Sequence, residues 1–144
     1  MADKKLILRF TNHPGYNLRM ATNSAMSQLT GILAESGLRI VEATILIVVY
    51  DNRGCRQSQI GKVLNISSAN MTPLITRLEE RGIIRREAAD GRSNALHLTD
   101  QGEKIVATAA RRMADFEAGL IARVPSHLRK PFLEALRHLS GVSE

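Results

Sequence analysis

Several features that define common protein classes are scarce in this sequence. It has a single cysteine, Cys55, so no disulfide can form within the chain, and this fits a reducing compartment. It has no tryptophan, and aromatic residues make up only 3% of the chain. A surface that binds single-stranded nucleic acid by stacking bases on aromatic rings is therefore not expected.

Long apolar segments are also missing. The longest apolar run, residues 43–50, is much shorter than the roughly 20 residues that a helix needs to cross a bilayer. Residues 1–10 contain too short an apolar run for a signal peptide. We therefore expect a cytoplasmic protein with no membrane partner.

Motifs for catalysis or metal binding are not found either. His13, His97, His127 and His138 have no metal-ligand spacing with one another or with Cys55. The sequence has no phosphate-binding loop, no glycine elbow around a nucleophile and no paired-carboxylate motif. We predict that the protein is not an enzyme and that it uses no metal and no cofactor.

Basic residues, by contrast, are in excess. Lys and Arg number 20 against 14 Asp and Glu, which gives a net charge of +6 and a pI near 10.1. This charge favours a polyanionic partner without establishing one. The length of 144 residues and the 44% hydrophobic content predict a single folded domain, residues 1–144.

Helical patterns occupy both sides of the centre of the chain. Apolar or small residues recur every three or four positions between residues 15 and 36, which predicts an amphipathic helix ended by Gly37. Residues 40–52 are apolar nearly all round and predict a buried helix, with a buried β-strand as the alternative because many are β-branched. Beyond Thr99, a suitable N-cap, we predict a long helix to about residue 123 and a last helix that includes residues 128–139.

Residues 57–81 have the pattern of two short helices joined by a tight turn. Ser67 is a good N-cap for the second helix, in which Pro73 should remove a hydrogen bond and cause a bend. A shorter helix capped by Thr72, with Pro73 in its first position, is the alternative. We favour the longer helix because its apolar stripe already begins at Met71.

A basic β-hairpin is predicted directly after these helices. Two short apolar segments flank Asp90-Gly91, which favours a hairpin turn because Gly tolerates positive φ and Asp bonds its own backbone. Arg85, Arg86 and Arg92 lie on or beside this turn. Helix, turn, helix and basic hairpin are typical of a winged helix-turn-helix, so the predicted fold is mainly α with a small β-hairpin wing.

The region 57–105 resembles the MarR family of bacterial transcription regulators. Its helix-turn-helix segment reads QSQIGKVLNISSANMTPLITRLEERGIIRR, and the segment DGRSNALHLTDQGEKI is similar to the family's Asp-x-Arg wing and Leu-Thr-x-x-Gly. The sequence departs from the family at two places. Glu42-Ala43-Thr44 stands where a tryptophan is often seen, and Pro73 replaces a frequently polar or basic residue.

The resemblance implies a homodimer that binds a pseudo-palindromic operator in double-stranded DNA. Residues 40–98 would form the winged helix-turn-helix lobe, and the flanking helices, residues 15–36 and 99–140, would form the dimerisation region. The implied function is a transcription regulator, and we expect a repressor that is released by a small ligand.

We predict that DNA is contacted by polar and basic side chains of the helix-turn-helix and the wing. These are Gln57, Ser58, Ser67, Ser68, Asn70, Thr72, Thr76, Arg77, Arg85 and Arg92. Asn can pair with adenine, Arg with guanine, and hydroxyls with phosphate. Arg92 is expected to enter the minor groove, with Asp90 and Gly91 positioning it. A merely solvated helix face is the alternative.

The resemblance also implies an effector pocket between the dimer helices and the DNA-binding lobe. The residues that could line it are His13, Tyr16, Arg19, Met20, Asn23, Tyr50 and Met113. An anionic aromatic acid or its thioester would suit Arg19. Ordinary packing at an interface is the alternative.

Two other functions remain open from the residues alone. A winged-helix module that docks onto proteins would carry apolar side chains at the wing tip and on the recognition face. A redox-sensing regulator would use Cys55, if Arg53 and Arg56 lower the pKa of its thiol. The alternative for Cys55 is a small packed residue.

Overall fold

The computed structural model describes residues 8–89 and 93–141. The helices are α1 (Pro14–Ala34), α2 (Ile40–Asp51), α3 (Gln57–Leu64), α4 (Ser68–Glu80), α5 (Asp100–Ala122) and α6 (Arg129–Ser140). Two strands, β1 (Ile84–Ala89) and β2 (Ser93–Leu98), lie between α4 and α5, and a 3-10 turn (Ser126–Leu128) precedes α6. The prediction of a mainly helical fold with one small hairpin is confirmed.

The apolar segment after Gly37 forms α2, a buried helix, so the alternative of a buried strand is wrong. Its residues Ile45, Leu46 and Val49 are almost fully buried. β-branched residues only weakly disfavour a helix, and tertiary packing overrides that preference here. Gly37 has a φ of +65° in the turn between α1 and α2, as expected for a glycine just beyond a helix end.

The hydrophobic core surrounds α2. Buried side chains reach it from the C-terminal half of α1, from α3 and α4, from the hairpin and from α5; the largest include Leu33, Ile60, Met71, Ile75, Leu78, Leu96 and Val106. By contrast, α6 has no buried residue within the described protomer. Its apolar side chains therefore lie outside the core of a single chain.

The second helix of the pair is the longer one that the sequence favoured, and Thr72 is not its cap. Ser67 is the N-cap, because its Oγ accepts a hydrogen bond of 3.3 Å from the backbone N–H of Asn70. Pro73 lies inside α4 and leaves the carbonyl of Ala69 without its usual helical donor. The fully buried Met71, on the turn before Pro73, belongs to the stripe that packs this helix onto the core.

The two strands of the hairpin are antiparallel, in register from Ile84 opposite Leu98 to Ala89 opposite Ser93. The predicted turn, Asp90-Gly91, and the wing residue Arg92 lie outside the described residues.

The base of the hairpin is bonded to the loop between α2 and α3. The backbone N–H of Gly54 donates to the Leu96 carbonyl at 3.2 Å, and the N–H of Leu96 donates to the Cys55 carbonyl at 2.9 Å. Arg56 and Ala95 form an antiparallel bridge beside them. This loop thus adds a short third strand segment to the hairpin.

α5 begins against the loop that precedes β1. Thr99 is its N-cap, as predicted, since its Oγ accepts from the N–H of Gly102 at 3.0 Å. The Thr99 hydroxyl also donates to the Gly82 carbonyl at 2.6 Å, and its backbone N–H donates to the Ile83 carbonyl at 3.0 Å. The start of α5 is therefore fixed to the end of the helix-turn-helix.

Candidate nucleic-acid interface

An open cleft of about 500 Å³ lies between α3, the start of α4 and the hairpin. Its rim carries Arg56, Lys62 and Arg86, together with polar side chains that include Gln57, Ser58, Ser68 and Asn94. In the described part of the chain, no acidic side chain lines the cleft. The cleft can therefore accept an anionic, hydrogen-bonding ligand such as a phosphate backbone.

The outer face of α4 continues from this cleft. It exposes most of the side chains predicted to contact DNA, namely Ser67, Ser68, Asn70, Thr72, Thr76 and Arg77, while Met71, Ile75 and Leu78 are buried on the opposite face. A helix with this division can enter a groove of DNA with its polar face outward.

Gln57 and Thr72 contact each other rather than standing independently. Gln57 Nε2 donates to Thr72 Oγ1 at 2.8 Å, and the Thr72 hydroxyl donates to the Ser68 carbonyl at 3.0 Å. The Thr72 hydroxyl has therefore used its proton, and it can only accept a further hydrogen bond. In this arrangement it cannot donate to a phosphate, although hydroxyl-to-phosphate contacts were expected from the sequence.

Arg77 is engaged by a residue that the sequence did not single out as functional. Its Nε lies 3.4 Å from Oε1 of Glu42, whose side chain is 1% exposed. Arg81 Nη1 lies 3.5 Å from the other carboxylate oxygen of Glu42. The sequence signals for Glu42 were its position, as an acidic residue near the start of an otherwise apolar helix, and the departure from the family pattern at Glu42-Ala43-Thr44.

The arginines of β1 point to opposite sides of the hairpin. Arg86 lines the cleft, and its Nε donates to Glu79 Oε2 of α4 at 2.9 Å. Arg85 forms an ion pair with Glu87 and lines a different, smaller cleft. The structure therefore does not bring Arg85 together with the other predicted DNA contacts. Arg86, which was not among the residues predicted to contact DNA, lies among them instead.

The residues predicted to bind an effector are divided between two places in the protomer. Tyr16 lies edge-on to Phe10, with ring centroids 5.2 Å apart, and Arg19 Cζ lies 5.8 Å from the Tyr16 ring centroid. Tyr50 lines a cleft of about 220 Å³ formed by α2, the hairpin and α5, to which α1 contributes no residue.

The remaining residues predicted to bind an effector belong to α1 and α5. His13 is the N-cap residue of α1, Met20 and Asn23 are exposed on that helix, and Met113 packs against the core from α5.

Cys55 lies in the loop that bonds the hairpin, and it lines a cleft of about 650 Å³. Burial raises the pKa of its thiol, and this outweighs the opposite effect of a backbone hydrogen bond. The condition for a redox role, a thiol pKa lowered by Arg53 and Arg56, is therefore not met. Because the thiolate is the reactive form, a raised pKa disfavours the redox alternative.

Two other kinds of feature are absent from the described residues. Among residues 8–89 and 93–141, no group of three or more His, Cys, Asp or Glu side chains could hold a metal ion. Within the same ranges, no helix combines the length and apolar character needed to cross a membrane.

A two-helix unit with an exposed polar second helix, followed by a hairpin beside an acid-free cleft, defines a winged helix-turn-helix protein. The family model described as "MarR family" matches residues 38–93. Over these residues the chain is similar to the MarR family, which agrees with the resemblance seen in the sequence.

Its relatives are transcriptional regulators. The uncharacterized HTH-type transcriptional regulator YdgJ of Bacillus subtilis (strain 168) is 26% identical over 122 residues, which cover 78% of this chain and 74% of YdgJ. The transcriptional repressor CouR, solved with a 23-mer DNA duplex, has a TM-score of 0.83 and 26% identity, over 94% of this chain and 99% of CouR.

CouR has also been solved with p-coumaroyl-CoA. That structure has a TM-score of 0.82 and 24% identity, over 94% of this chain and 98% of CouR. From family and fold together, the protein is a DNA-binding transcriptional regulator and not an enzyme.

Proposed function

We propose that this regulator is a homodimeric repressor that binds operator DNA and is released by a small ligand. The observation that carries the DNA-binding part is the acid-free cleft beside the exposed polar face of α4. The division of the chain into a DNA-binding lobe, residues 40–98, and a dimerisation region, residues 15–36 and 99–140, is part of the proposal.

Base readout is assigned to Asn70 and Thr76, which are exposed on α4 beyond the bonded Gln57–Thr72 pair. Asn70→Ala and Thr76→Ala should each reduce the preference for operator over random DNA. Thr108→Ala is the matched control, because Thr108 lies on α5 and its hydroxyl bonds only the Lys104 carbonyl. Fluorescence anisotropy on the DNA upstream of the protein's own gene measures the ratio. Unchanged preference in both α4 variants would place the readout elsewhere.

Phosphate contacts are assigned to the cations of the cleft, with Arg92 of the wing. If a dimer neutralises about eight phosphates, the log-log slope of affinity against salt should be roughly −7. A slope near zero would contradict DNA binding through the cationic cleft.

The homodimer is supported by apolar surface that one chain leaves uncovered. α6 has no buried residue in the protomer, although Phe132 and Leu133 are 42% and 44% exposed and Leu139 is 71% exposed. An apolar groove between α1 and α6 is lined by Leu18 and by leucines of α6. Sedimentation at low micromolar concentration should give twice 15.9 kDa, and a clean monomer there would refute the dimer.

The ligand part rests on Tyr16 and Arg19 of α1. Their stacked arrangement, with Phe10 beside it, offers aromatic surface and a cation side by side, which suits an aromatic carboxylate or its thioester. We therefore propose an anionic aromatic effector, and CouR in its complex with p-coumaroyl-CoA supports that chemistry.

The effector test uses displacement from a labelled operator. 4-Hydroxybenzoate and p-coumaroyl-CoA are the probes, and cyclohexanecarboxylate controls for charge without an aromatic ring. Release by an aromatic probe should be lost in Arg19→Gln. Release that survives in Arg19→Gln would move the ligand site away from α1.

A further inference from the structure

The C-terminal end of α4, the recognition helix, lies against the buried carboxylate of Glu42. Glu42 is the third residue of α2, and its Oε2 accepts the backbone N–H of Arg39 at 2.9 Å. Its Oε1 has no hydrogen-bond partner within the described chain, and the nearest cation to it is Arg77 Nε at 3.4 Å. Burial of a carboxylate is unfavourable unless cations compensate it, so both arginines that approach Glu42 matter.

Those two arginines are used in different ways. Both terminal nitrogens of Arg81 contact other parts of the chain. Nη1 lies 3.5 Å from Glu42 Oε2, and Nη2 donates to the Gly37 carbonyl at 2.8 Å. Arg77 approaches Glu42 through Nε alone, and its side chain is 47% exposed. Its two Nη groups bond no acceptor within residues 8–89 and 93–141. Arg81 therefore has a structural role, while the two Nη groups of Arg77, its terminal fork, remain available to bind an acceptor on DNA.

The contact at Arg77 Nε is an ion pair and not a hydrogen bond, and it leaves the planar pair of N–H donors on the Nη side of the guanidinium available. That pair matches two acceptors side by side, such as O6 and N7 of guanine or two phosphate oxygens. Without a partner for Nε, a long arginine side chain samples many rotamers and loses that freedom on binding. A fixed carboxylate at Nε removes part of this cost before DNA arrives.

We propose that Glu42 is a positioning residue for DNA recognition: it holds Arg77 by Nε so that the Nη pair meets a bidentate acceptor on the operator. The inference rests on the proposed function, because it requires α4 to contact operator DNA. The proposal predicts that loss of the Glu42 charge weakens operator binding. Charge alone predicts the opposite, because removal of a carboxylate near DNA would strengthen binding.

A double-mutant cycle tests the proposal. Operator affinity is measured for the parent, Glu42→Gln, Arg77→Gln and the double variant at fixed salt. We expect Arg77→Gln to lose about 5- to 150-fold for each copy of α4 on the operator, the range for one good bidentate contact. Glu42→Gln should lose about 3- to 10-fold in the parent but less than about 2-fold in the Arg77→Gln background, because it acts through Arg77.

A matched control and a second acidic variant keep the test decisive. Glu35→Gln removes the same charge from an exposed ion pair with Arg112 and should leave operator affinity within about 2-fold, as usual for an exposed pair. Thermal unfolding must show each variant folded at the assay temperature. If Glu42→Gln is not, Glu42→Asp replaces it, since it keeps the charge but draws the carboxylate back from Arg77, and the same loss is expected.

Two results would overturn the proposal. Tighter operator binding by Glu42→Gln than by the parent would mean that only charge matters. An equal loss from Glu42→Gln with and without Arg77 would mean that Glu42 acts on the fold of α4 in general. A parent protein that shows no operator preference would instead refute the proposed function, so the two failures are distinguishable.

Salt dependence identifies the acceptor. If the fork binds phosphate, the slope of log affinity against log salt should shrink by about two per dimer in both Arg77→Gln and Glu42→Gln. If the fork binds guanine, the slope should hold while operator preference falls.

Discussion

Among the described glycines, Gly102 is the position where an added methyl group should be most destabilising. A Cβ built there would overlap the carbonyl oxygen of Ile83, and it would lie 3.0 Å from the carbonyl carbon and 3.4 Å from Cγ2 of the same residue. The obstacle is mainly backbone, so no side-chain rotation can relieve it. The first turn of α5 must move away from the loop before β1.

That movement works against the bonds that fix the start of α5. Overpacking of this kind costs about 1–3 kcal/mol. Loss of the Thr99 cap and of its N–H bond to Ile83 adds about 1 kcal/mol each, and the better helix propensity of Ala returns about 1 kcal/mol. We expect Gly102→Ala to lower the free energy of unfolding by about 2–4 kcal/mol, a large share of a typical domain stability.

Denaturant unfolding followed by circular dichroism, at one fixed protein concentration, measures the change. Gly119→Ala is the matched control: it lies on the same helix, nothing in the described protomer lies within 4 Å of its Cβ, and it should gain up to about 1 kcal/mol. A Gly102→Ala variant within about 0.5 kcal/mol of the parent would refute the argument, because it would show that α5 shifts at little cost.

Three further predictions concern other parts of the molecule. Phe132→Asp should dissociate the proposed dimer in sedimentation, since it places a charge among apolar side chains, while His138→Asp on the same helix should not. Arg92→Ala should weaken operator binding by roughly 1–3 kcal/mol per wing, and Asp90→Ala should also weaken it if Asp90 positions Arg92; tighter binding by Asp90→Ala would make it a plain turn residue. At Cys55, the raised pKa of the folded thiol means that the unfolded chain releases its proton first as pH rises, so the residue lowers stability only above the ordinary thiol pKa. Alkylation of Cys55 at pH 8.5 should be slower than that of an unstructured cysteine peptide, and loss of operator binding in peroxide that Cys55→Ser prevents would contradict an inert thiol.

The local features of the fold could be predicted from the sequence because short-range rules decide them. Ser67 and Thr99 are caps as predicted, and the helix that contains Pro73 starts where its apolar stripe requires. The helix–strand ambiguity of residues 40–52 could not be settled locally, because an all-round apolar segment fits either state and only its neighbours decide.

The errors at the site have a different origin. Strand period alone puts Arg85 and Arg86 on opposite faces, but only the packing of the hairpin against α3 decides which face lines the cleft. The contact of Arg77 with Glu42 joins residues far apart in the sequence, so no spacing rule predicts it. The pKa of the Cys55 thiol is raised by burial, which outweighs a backbone hydrogen bond, and neither of these contributions can be read from the neighbouring arginines in the sequence.

The backbone bonds from Gly54, Cys55 and Arg56 to β2 have a mechanical consequence. The loop that leads into α3 also forms the third strand segment of the hairpin, so the helix-turn-helix and the wing are joined through one segment of backbone. A ligand that shifts this segment would move both of the proposed DNA-contacting elements together. In a dimer, the adjustable quantity is then the distance between two such units, measured against the roughly 34 Å between successive major grooves on one side of B-DNA. A small hinge movement in the helices that join the two units would change this distance, and both units would then lose their fit to the operator together.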